Sequence, residues 1–383
     1  MNFTQPIPLT LYVHYPWCVQ KCPYCDFNSH HLKPNVDEEA YIDALIKQLE
    51  LTLPMVWGRP IHAIFFGGGT PSLISEAGLN RFMSHARALL GFDPSIEITL
   101  EANPGTVDFE KFSGFYQTGI NRLSMGIQSF NDEKLQALGR IHSGEEAQRA
   151  IEAAQKSGFT NFNLDLMFAL PNQTIEQALA DIEQALEFSP PHLSHYQLTL
   201  EPNTPFYKNP PPLPEDDLAW EMQLACQSRM REAGYEHYEV SGFAQKNRRC
   251  QHNVNYWQFG DYIGLGAGAH GKITVPPEGK IWRTQMPASP GGYIEEMKRP
   301  QPGRQVLVSE HDACFEFMLN ALRLQDGFDL SLFEWRTGLP LSEVERGVKI
   351  MQEKGWAVIS EDKRLNLTTQ GKHYLNDVVS LFL

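Results

Sequence analysis

Six short apolar runs alternate with amphipathic stretches through the first half of the chain, and this alternation limits the possible folds more than any other feature. The runs are rich in branched and aromatic residues, which predicts buried strands at Leu9–Tyr15, Ile61–Phe66, Ile96–Leu100, Arg122–Met125, Phe162–Leu166 and Leu193–Leu198. Helical spacing between them predicts helices at Glu38–Leu53, Ser75–Leu90, Asp108–Thr118, Gly144–Ser157 and Thr174–Phe188. Repeated strand–helix units favour parallel strands with right-handed crossovers, so we predict an α/β fold, a partial (β/α)6 barrel.

Polar and glycine residues cluster where the predicted strands end. Gly67 follows the second strand, Glu101 the third and Gln128 the fourth, and Asp165 lies at the end of the fifth. In parallel barrels the carboxyl ends of the strands carry the functional site. These residues are therefore expected to face one another.

The chain has 383 residues, enough for one large domain and a smaller one. We predict a barrel over residues 1–235, a Gly- and aromatic-rich extension with a linker over 236–305, and a C-terminal domain over 306–383. Tyr238–Gly271 shows little periodicity, and Pro276–Pro302 is rich in Pro and Gly, typical of a connection. The C-terminal pattern predicts a small α+β, winged-helix-like domain with helices Glu310–Leu324, Leu330–Arg336 and Ser342–Lys354, a hairpin of Trp356–Ser360 with Arg364–Leu367, and a last helix.

Composition excludes several classes of protein. Only six cysteines are present, three of them in one loop, so a secreted disulfide framework is not expected. No apolar run is long enough to span a bilayer, and Met1–Leu11 lacks a signal-peptide pattern. The net charge of −14 argues against nucleic acid as the main partner. We predict a soluble cytoplasmic protein.

The run Cys18-Val-Gln-Lys-Cys22-Pro-Tyr-Cys25 places three thiols on one short loop. Three thiolates can hold three irons of a cubane cluster and leave the fourth iron open to a small molecule. Zinc is the competing interpretation, since a structural zinc ion takes four ligands and the set could be completed by His14, His30 or His31.

Gly67-Gly68-Gly69-Thr70-Pro71-Ser72 directly follows a predicted strand. Successive glycines let the backbone approach a ligand closely. No Gly-Lys-Ser/Thr follows, so the turn is not a phosphate-binding P-loop. Taken with the cysteine loop, it indicates a cluster whose open iron holds S-adenosylmethionine beside the glycine turn.

These motifs, with others along nearly the whole chain, resemble the radical-SAM family that includes the oxygen-independent coproporphyrinogen III oxidases, and within it a branch of heme chaperones. The resemblance rests on Tyr12-Val13-His14, Gly67–Ser72, Glu101-Ala102-Asn103-Pro104, Gly126-Ile127-Gln128-Ser129-Phe130, Leu138-Gly139-Arg140, Asn163-Leu164-Asp165-Leu166, His252-Asn253-Val254-Asn255-Tyr256-Trp257 and the terminal domain.

The resemblance implies a role for each matching residue. It assigns Cys18, Cys22 and Cys25 to a 4Fe–4S cluster, with Tyr12 beside the cofactor. It places the methionyl part of S-adenosylmethionine at Gly68, Gly69 and Thr70, its ribose at Glu101 and Gln128, a carboxylate partner at Arg140 and a cavity wall at Asp165. Each polar residue also has a purely structural alternative to ligand binding, since a strand-end carboxylate can cap a helix and an arginine can form a surface ion pair.

Two departures from the oxidase pattern bear on function. Phe27 stands where the oxidases carry a fourth cysteine, and only 17 residues precede Cys18. Coproporphyrinogen decarboxylation is therefore not expected, and the resemblance implies a protein that binds heme and passes it on. The alternative is a radical-SAM enzyme that acts on a tetrapyrrole.

A heme iron needs an axial ligand, and His252 is the candidate, with Tyr256 and Trp257 nearby to stack on a macrocycle. Cys250 ranks below it, and His270 is expected in a glycine-rich wall near the adenosyl group. The expected partners are heme and its donor and acceptor proteins, with peripheral contact to membrane hemoproteins possible.

Overall fold

The computed structural model describes all 383 residues, arranged mainly around one twelve-stranded sheet. The strands in chain order are β1 (Leu9–Tyr15), β2 (Trp17–Cys18), β3 (His30–His31), β4 (Ile61–Gly68), β5 (Phe92–Ala102), β6 (Arg122–Gln128), β7 (Phe162–Phe168), β8 (His192–Gln197), β9 (Glu236–His237), β10 (Gly242–Ala244), β11 (Asp261–Leu265), β12 (His270–Val275), β13 (Lys280–Gln285), β14 (Arg304–Leu307), β15 (Phe328–Asp329), β16 (Ala357–Ile359) and β17 (Arg364–Leu367).

Helices separate most of these strands. In chain order they are α1 (Glu38–Val56), α2 (Glu76–Leu89), α3 (Phe109–Thr118), α4 (Asp132–Ala137), α5 (Gly144–Lys156), α6 (Ile175–Glu187), α7 (Pro205–Lys208), α8 (Asp216–Glu232), α9 (Gln251–Trp257), α10 (Pro290–Glu296), α11 (Glu310–Ala321), α12 (Leu330–Thr337), α13 (Ser342–Glu353), α14 (Thr369–His373) and α15 (Leu375–Ser380). None of them combines the length and apolar character needed to cross a bilayer.

The large sheet runs in the order β14-β13-β12-β11-β1-β4-β5-β6-β7-β8-β10-β9. Every neighbouring pair from β11 to β8 is parallel. The sheet ends at β14 and β9 without joining them, so the barrel is partial, and the predicted fold is confirmed. One parallel strand was missed, because β11 lies in the stretch that shows little periodicity.

Local sequence explains why the strands and helices begin where they do. β1 and β7 are almost entirely buried, as expected for strands covered on both faces. Side-chain caps start several helices, and capping boxes start α5 at Ser143 and α6 at Thr174. The strands and surrounding helices enclose a core cluster of 56 buried residues.

The segment Pro276–Pro302 is predicted from the sequence as a connection between domains, but it contains regular secondary structure, namely β13 and α10. β12, β13 and β14 pair in antiparallel fashion and extend the parallel sheet beyond β11. Strand β13 is only half-buried, so its sequence carries a weak apolar signal.

The C-terminal part has its own core cluster of 21 buried residues, formed mainly by α11, α12, α13 and the hairpin β16–β17. This matches the predicted winged-helix-like arrangement. The predicted last helix is divided into α14 and α15 at Tyr374. Phe259, from the loop after α9, belongs to this core and stacks edge-on against Phe317, which joins the terminal part to the barrel.

Candidate functional site

A cavity of about 510 Å³ opens at the carboxyl ends of the parallel strands, and we call it the cysteine cavity. It brings together most of the residues that the sequence singled out. Its walls include Cys18, Cys22, Cys25, Gly68, Gly69, Thr70, Glu101, Gln128, Arg140 and Asp165. Tyr12 and His252 are not among the residues that line it.

The cysteine loop leaves the barrel after β1 and is held between the short strands β2 and β3. Inside the loop, the Cys25 amide donates to the Cys22 carbonyl at 3.1 Å. Burial raises the pKa of the Cys18 thiol and of the Cys25 thiol. Both thiols therefore favour their protonated forms until a metal or cation stabilises the thiolate.

The donor set fits an iron–sulfur cluster, although no three His, Cys, Asp or Glu side chains converge on a single ion as they stand. Each iron of a cluster takes its own thiolate, so the three sulfurs need to line one cavity rather than meet at one point. Two of the three histidines that could complete a zinc site are engaged elsewhere. His14 Nδ1 lies 3.0 Å from the Tyr12 hydroxyl and its Nε2 2.8 Å from the Asn28 carbonyl, and His30 Nε2 lies 3.1 Å from the Ala288 carbonyl. His31 is exposed, and with the cysteines it forms no group that could hold a single ion. The residues present therefore suit a cluster with one open iron.

The glycine turn packs directly against the chain that leads into the cysteine loop. The Gly69 amide donates to Tyr15 and the Thr70 amide to Trp17, both at 2.8 Å. A Cβ on Gly69 would lie 2.6 Å from the Trp17 carbonyl oxygen. Gly68 has a φ of +118°, where a side chain is strained, and a Cβ there would lie 2.6 Å from the His14 ring. No larger residue fits this turn in the present geometry.

Two carboxyl groups lie near each other on the same wall of the cavity. Glu101 Oε2 accepts from the Gly68 amide at 3.1 Å, and Asp165 accepts from Asn163 at 2.7 Å and Ser124 at 3.2 Å. Burial, and then the nearby Asp165 charge, raise the pKa of Glu101 to about 8, while burial raises the pKa of Asp165. Glu101 is therefore largely protonated at neutral pH and can donate as well as accept a hydrogen bond.

Gln128 and Arg140 are each held in place by hydrogen bonds, one of them from Tyr196, which the sequence did not single out. Gln128 has a φ of +68°, and its Oε1 accepts from the Tyr196 hydroxyl at 2.7 Å. Arg140 donates to the Gly126 carbonyl at 2.7 Å and contacts Cys22 Sγ at 3.6 Å, while its buried Nε has no partner. Tyr196 lies near the end of β8, so the strand-end pattern extends one strand further than we applied it.

Tyr12 and His252 lie in the barrel interior instead of on the cavity wall. The His252 ring packs against Tyr12 at 6.1 Å and Phe65 at 5.2 Å between centroids. Only 7% of His252 is exposed, and burial lowers its pKa to about 4. Its Nδ1 is buried without a partner. An axial bond to heme at His252 would require α9 to move, and its role as a ligand stays a prediction.

Cys250 and His270, the other two residues that the sequence considered, lie outside the cysteine cavity. Cys250 is fully buried, and burial raises the pKa of its thiol to about 12, so it does not form a thiolate readily. His270 was expected near the adenosyl group but lies at a different cavity, at the start of β12, with its side chain exposed.

The chain is similar to known proteins over nearly its whole length. The radical SAM superfamily model matches residues 12–185, and the HemN C-terminal domain model matches residues 308–373. The heme chaperone HemW of Haemophilus influenzae is 46% identical over 380 residues, covering 98% of both chains. The heme chaperone HemW of Escherichia coli is 44% identical with the same coverage.

Among solved structures, the chain is similar to coproporphyrinogen III oxidase (HemN) from Escherichia coli, a radical SAM enzyme. The TM-score is 0.81, and the match covers 98% of this chain and 90% of that one. Their sequences are 22% identical, so this likeness establishes the fold alone.

Proposed function

The chain belongs to the radical SAM protein family of the heme chaperone HemW, and from that premise we propose that it binds heme and transfers it to acceptor proteins. We further propose that it acts in the cytoplasm and carries a 4Fe–4S cluster with exchangeable S-adenosylmethionine. When bound, such a cluster supplies an open iron that can bind a small molecule and exchange an electron.

The observation that carries the cofactor proposal is the shared wall of the cysteine cavity. Cys18, Cys22 and Cys25 line the same space as Gly68 and Gly69, although more than 40 residues of sequence separate the two motifs. Cys18, Cys22 and Cys25 would hold the cluster. The glycine turn would let the methionyl part of S-adenosylmethionine approach the backbone, with Thr70 beside it.

The polar side chains of the cavity can then orient the rest of the cofactor. Glu101 and Gln128 would bind the ribose hydroxyls, for which a protonated Glu101 offers both a donor and an acceptor. Arg140 would pair with a carboxylate, since its guanidinium faces the cavity and its buried Nε is free. Asp165 would line the same space. Tyr12 would support the cavity from below, where its hydroxyl contacts His14.

Phe27 favours the chaperone over a coproporphyrinogen oxidase. It follows Cys25 by two residues, lines the cavity and is 59% exposed. An apolar ring at this position supplies contact surface for a macrocycle or a partner protein instead of a fourth thiol. The competing radical-SAM enzyme would need the same cofactor site and would consume S-adenosylmethionine in the presence of a tetrapyrrole.

The proposal is tested by an anaerobic hemin titration of cluster-reconstituted protein, monitored by the Soret band. We expect saturation near one heme per chain, together with transfer to an apo-hemoprotein added in excess. The His252→Ala variant, titrated in parallel, tests the ligand predicted from the sequence. Absence of saturable binding in the wild type would contradict the chaperone function. Rapid formation of 5′-deoxyadenosine with a porphyrin substrate would favour the enzyme.

The cluster has its own test in Cys22→Ser. We expect this variant to lose nearly all reconstituted iron and sulfide, because its hydroxyl replaces one of three thiolates. Cys314→Ser is the matched control, since that cysteine lies in the terminal core. Equal iron content in wild type and Cys22→Ser would overturn the assignment of this loop.

We also propose the domain division given by the sequence, with a barrel over 1–235, an extension over 236–305 and a terminal domain over 306–383. The separate terminal core, whose members lie almost entirely after residue 306, supports the boundary of the terminal domain, whereas β11 joins the extension to the parallel sheet of the barrel. The terminal domain would serve contacts with protein partners.

A further inference from the structure

A second cavity of about 560 Å³ lies beyond the parallel strands, and we call it the His270 cavity. It is formed where β12 begins, β13 ends and β14 begins. His270, Gln285 and Arg304 contribute polar side chains, while Gly268, Met286, Pro287 and Ala288 contribute backbone and apolar surface. It shares no lining residue with the cysteine cavity.

The strand register puts its three polar side chains in one row. His270 pairs with Gln285 across β12 and β13, and Gln285 pairs with Arg304 across β13 and β14. Side chains at directly opposed positions project from the same face of a sheet. Strands are spaced at about 4.8 Å, so the backbones of His270 and Arg304 stand roughly 9.6 Å apart.

None of these three side chains is committed to another protein group. His270, Gln285 and Arg304 are all exposed, and none makes a side-chain hydrogen bond or ion pair within the protein. The acidic residue on the cavity wall, Glu296, is occupied by Arg299 and by the Gly303 amide, both at 3.1 Å. The cavity therefore presents a free imidazole and a free guanidinium to one ligand.

The His270 cavity is joined directly to the cysteine loop. Asn28, three residues after Cys25, donates from its side-chain amide to the Ala267 carbonyl at 2.9 Å and the Ala288 carbonyl at 2.8 Å. His30 Nε2 lies 3.1 Å from the same Ala288 carbonyl. A shift of the loop when its cysteines bind a cofactor would therefore move the wall of the His270 cavity.

We propose that the His270 cavity is the site from which heme is handed on, with His270 as the axial ligand of the iron and Arg304 as the partner of a heme carboxylate. This inference rests on the proposed chaperone function and adds the place where the cargo sits. An iron porphyrin combines the three features that the cavity can recognise. These are a metal that accepts an imidazole nitrogen, anionic side groups at its edge, and a flat apolar face.

The bonding step is a ligand exchange without a change of oxidation state. The unprotonated ring nitrogen of His270 donates its lone pair to the iron and displaces the water or chloride that free hemin carries. Partial burial, and then the nearby Arg283 charge, lower the pKa of His270, so the ring is neutral at physiological pH. One face of the porphyrin stays open for a ligand from an acceptor protein, as transfer requires.

His252 is much less accessible to a ligand than His270. Its ring is enclosed between Tyr12 and Phe65, so iron cannot approach it in this conformation. His270 is exposed on a cavity of about 560 Å³ and can be reached without any movement of the backbone.

The test is an anaerobic hemin titration of the full-length reconstituted protein and of two variants, His270→Ala and Arg304→Gln. We expect His270→Ala to weaken hemin binding by at least roughly tenfold, to change the Soret spectrum, and to recover the wild-type spectrum when free imidazole is added. Arg304→Gln should weaken hemin binding by roughly fivefold but leave binding of hemin dimethyl ester unchanged, because the ester carries no carboxylate.

His311→Ala is the matched control, since His311 is an exposed histidine on α11 that does not line the cavity. Wild-type affinity and spectrum in His270→Ala would overturn the inference while the chaperone function stands. Loss of the Soret shift in His252→Ala alone would also overturn it and would confirm the ligand predicted from the sequence. If the wild type fails to bind hemin, the proposed function itself fails.

Discussion

The cysteine cavity and the His270 cavity lie on either side of one loop but are built in opposite ways. In the cysteine cavity, Glu101, Gln128, Arg140 and Asp165 each have hydrogen-bond partners within the protein. In the His270 cavity, the row of polar side chains has none. A site with fixed side chains pays little entropy on binding and suits a resident cofactor. A site with free side chains suits a cargo that must leave.

We expect the largest effect in the pH dependence of stability, which tests whether the cysteine cavity holds a buried proton. The pKa of Glu101 is raised to about 8 in the folded protein, well above its ordinary value. Between the two values the folded state holds a proton that the unfolded state has lost, so stability falls as pH rises. The contribution of Glu101 to the slope approaches about 1.4 kcal/mol for each pH unit and ends near pH 8.

Denaturant unfolding of the cofactor-free wild type and of Glu101→Gln between about pH 5 and pH 8 measures the Glu101 contribution as the difference between the two slopes. Buried histidines of lowered pKa, such as His252, contribute a slope of the opposite sign to both proteins equally, so they cancel in this difference. Arg304→Gln, in the His270 cavity, should keep the wild-type slope. An unchanged slope in Glu101→Gln would show that the cysteine cavity does not hold a buried proton.

The second comparison is between two glycines. In Gly69→Ala the new methyl group meets the Trp17 carbonyl, so we expect a loss of about 1–3 kcal/mol in stability and weaker S-adenosylmethionine binding. Gly291 is in α10, the helix whose Glu296 lines the His270 cavity, and no atom lies within 4 Å of a Cβ added to Gly291. Gly291→Ala should therefore be neutral or stabilise by up to about 1 kcal/mol.

Thermal unfolding and equilibrium dialysis with S-adenosylmethionine measure the two effects separately. The prediction concerns the difference between the variants, since both add the same single methyl group. Equal stability and equal cofactor affinity in Gly69→Ala and Gly291→Ala would show that the glycine turn is looser than its contacts indicate.

The smallest effect is expected at Asn28, which links the two cavities. Asn28→Asp replaces a donor with an acceptor against two carbonyl oxygens, and two hydrogen bonds of about 1 kcal/mol each are lost. For each protein, the hemin affinity with the cluster is divided by the hemin affinity without it. We expect this ratio to be roughly threefold closer to one in Asn28→Asp than in the wild type. Asn209→Asp is the control, because Asn209 is exposed and lines neither cavity. A ratio equal to that of the wild type would mean that this link carries no coupling.

Much of the barrel could be predicted because its signals are local. Strand β1 was predicted at its observed bounds, Leu9–Tyr15, because branched and aromatic residues fill both faces of a covered strand. Strand β11 was missed, since Asp261–Leu265 begins with a charged residue and contains a glycine. Asp261 is tolerated there only because Arg59 and Lys272 both contact its carboxylate at 2.8 Å, and neither is its neighbour in sequence.

The same distinction applies to the candidate sites. The order of strands fixed by sequence was enough to predict that Glu101, Gln128 and Asp165 share a wall, because parallel strands bring their carboxyl ends together. The order of strands could not decide whether His252 or His270 is accessible to a ligand. His252 follows a buried cysteine on a helix that packs into the barrel, whereas His270 begins a strand at an exposed corner.

The sequence by itself determined the family of folds, the three thiols on one loop and the glycine turn, because each depends on residues close together in the chain. Only the tertiary structure decided which histidine is open, which strand completes the parallel sheet, and that Asn28 joins the cysteine loop to a second cavity. Those outcomes depend on contacts between residues more than 200 positions apart, such as Asn28 with Ala267 and Ala288, and no local pattern records them.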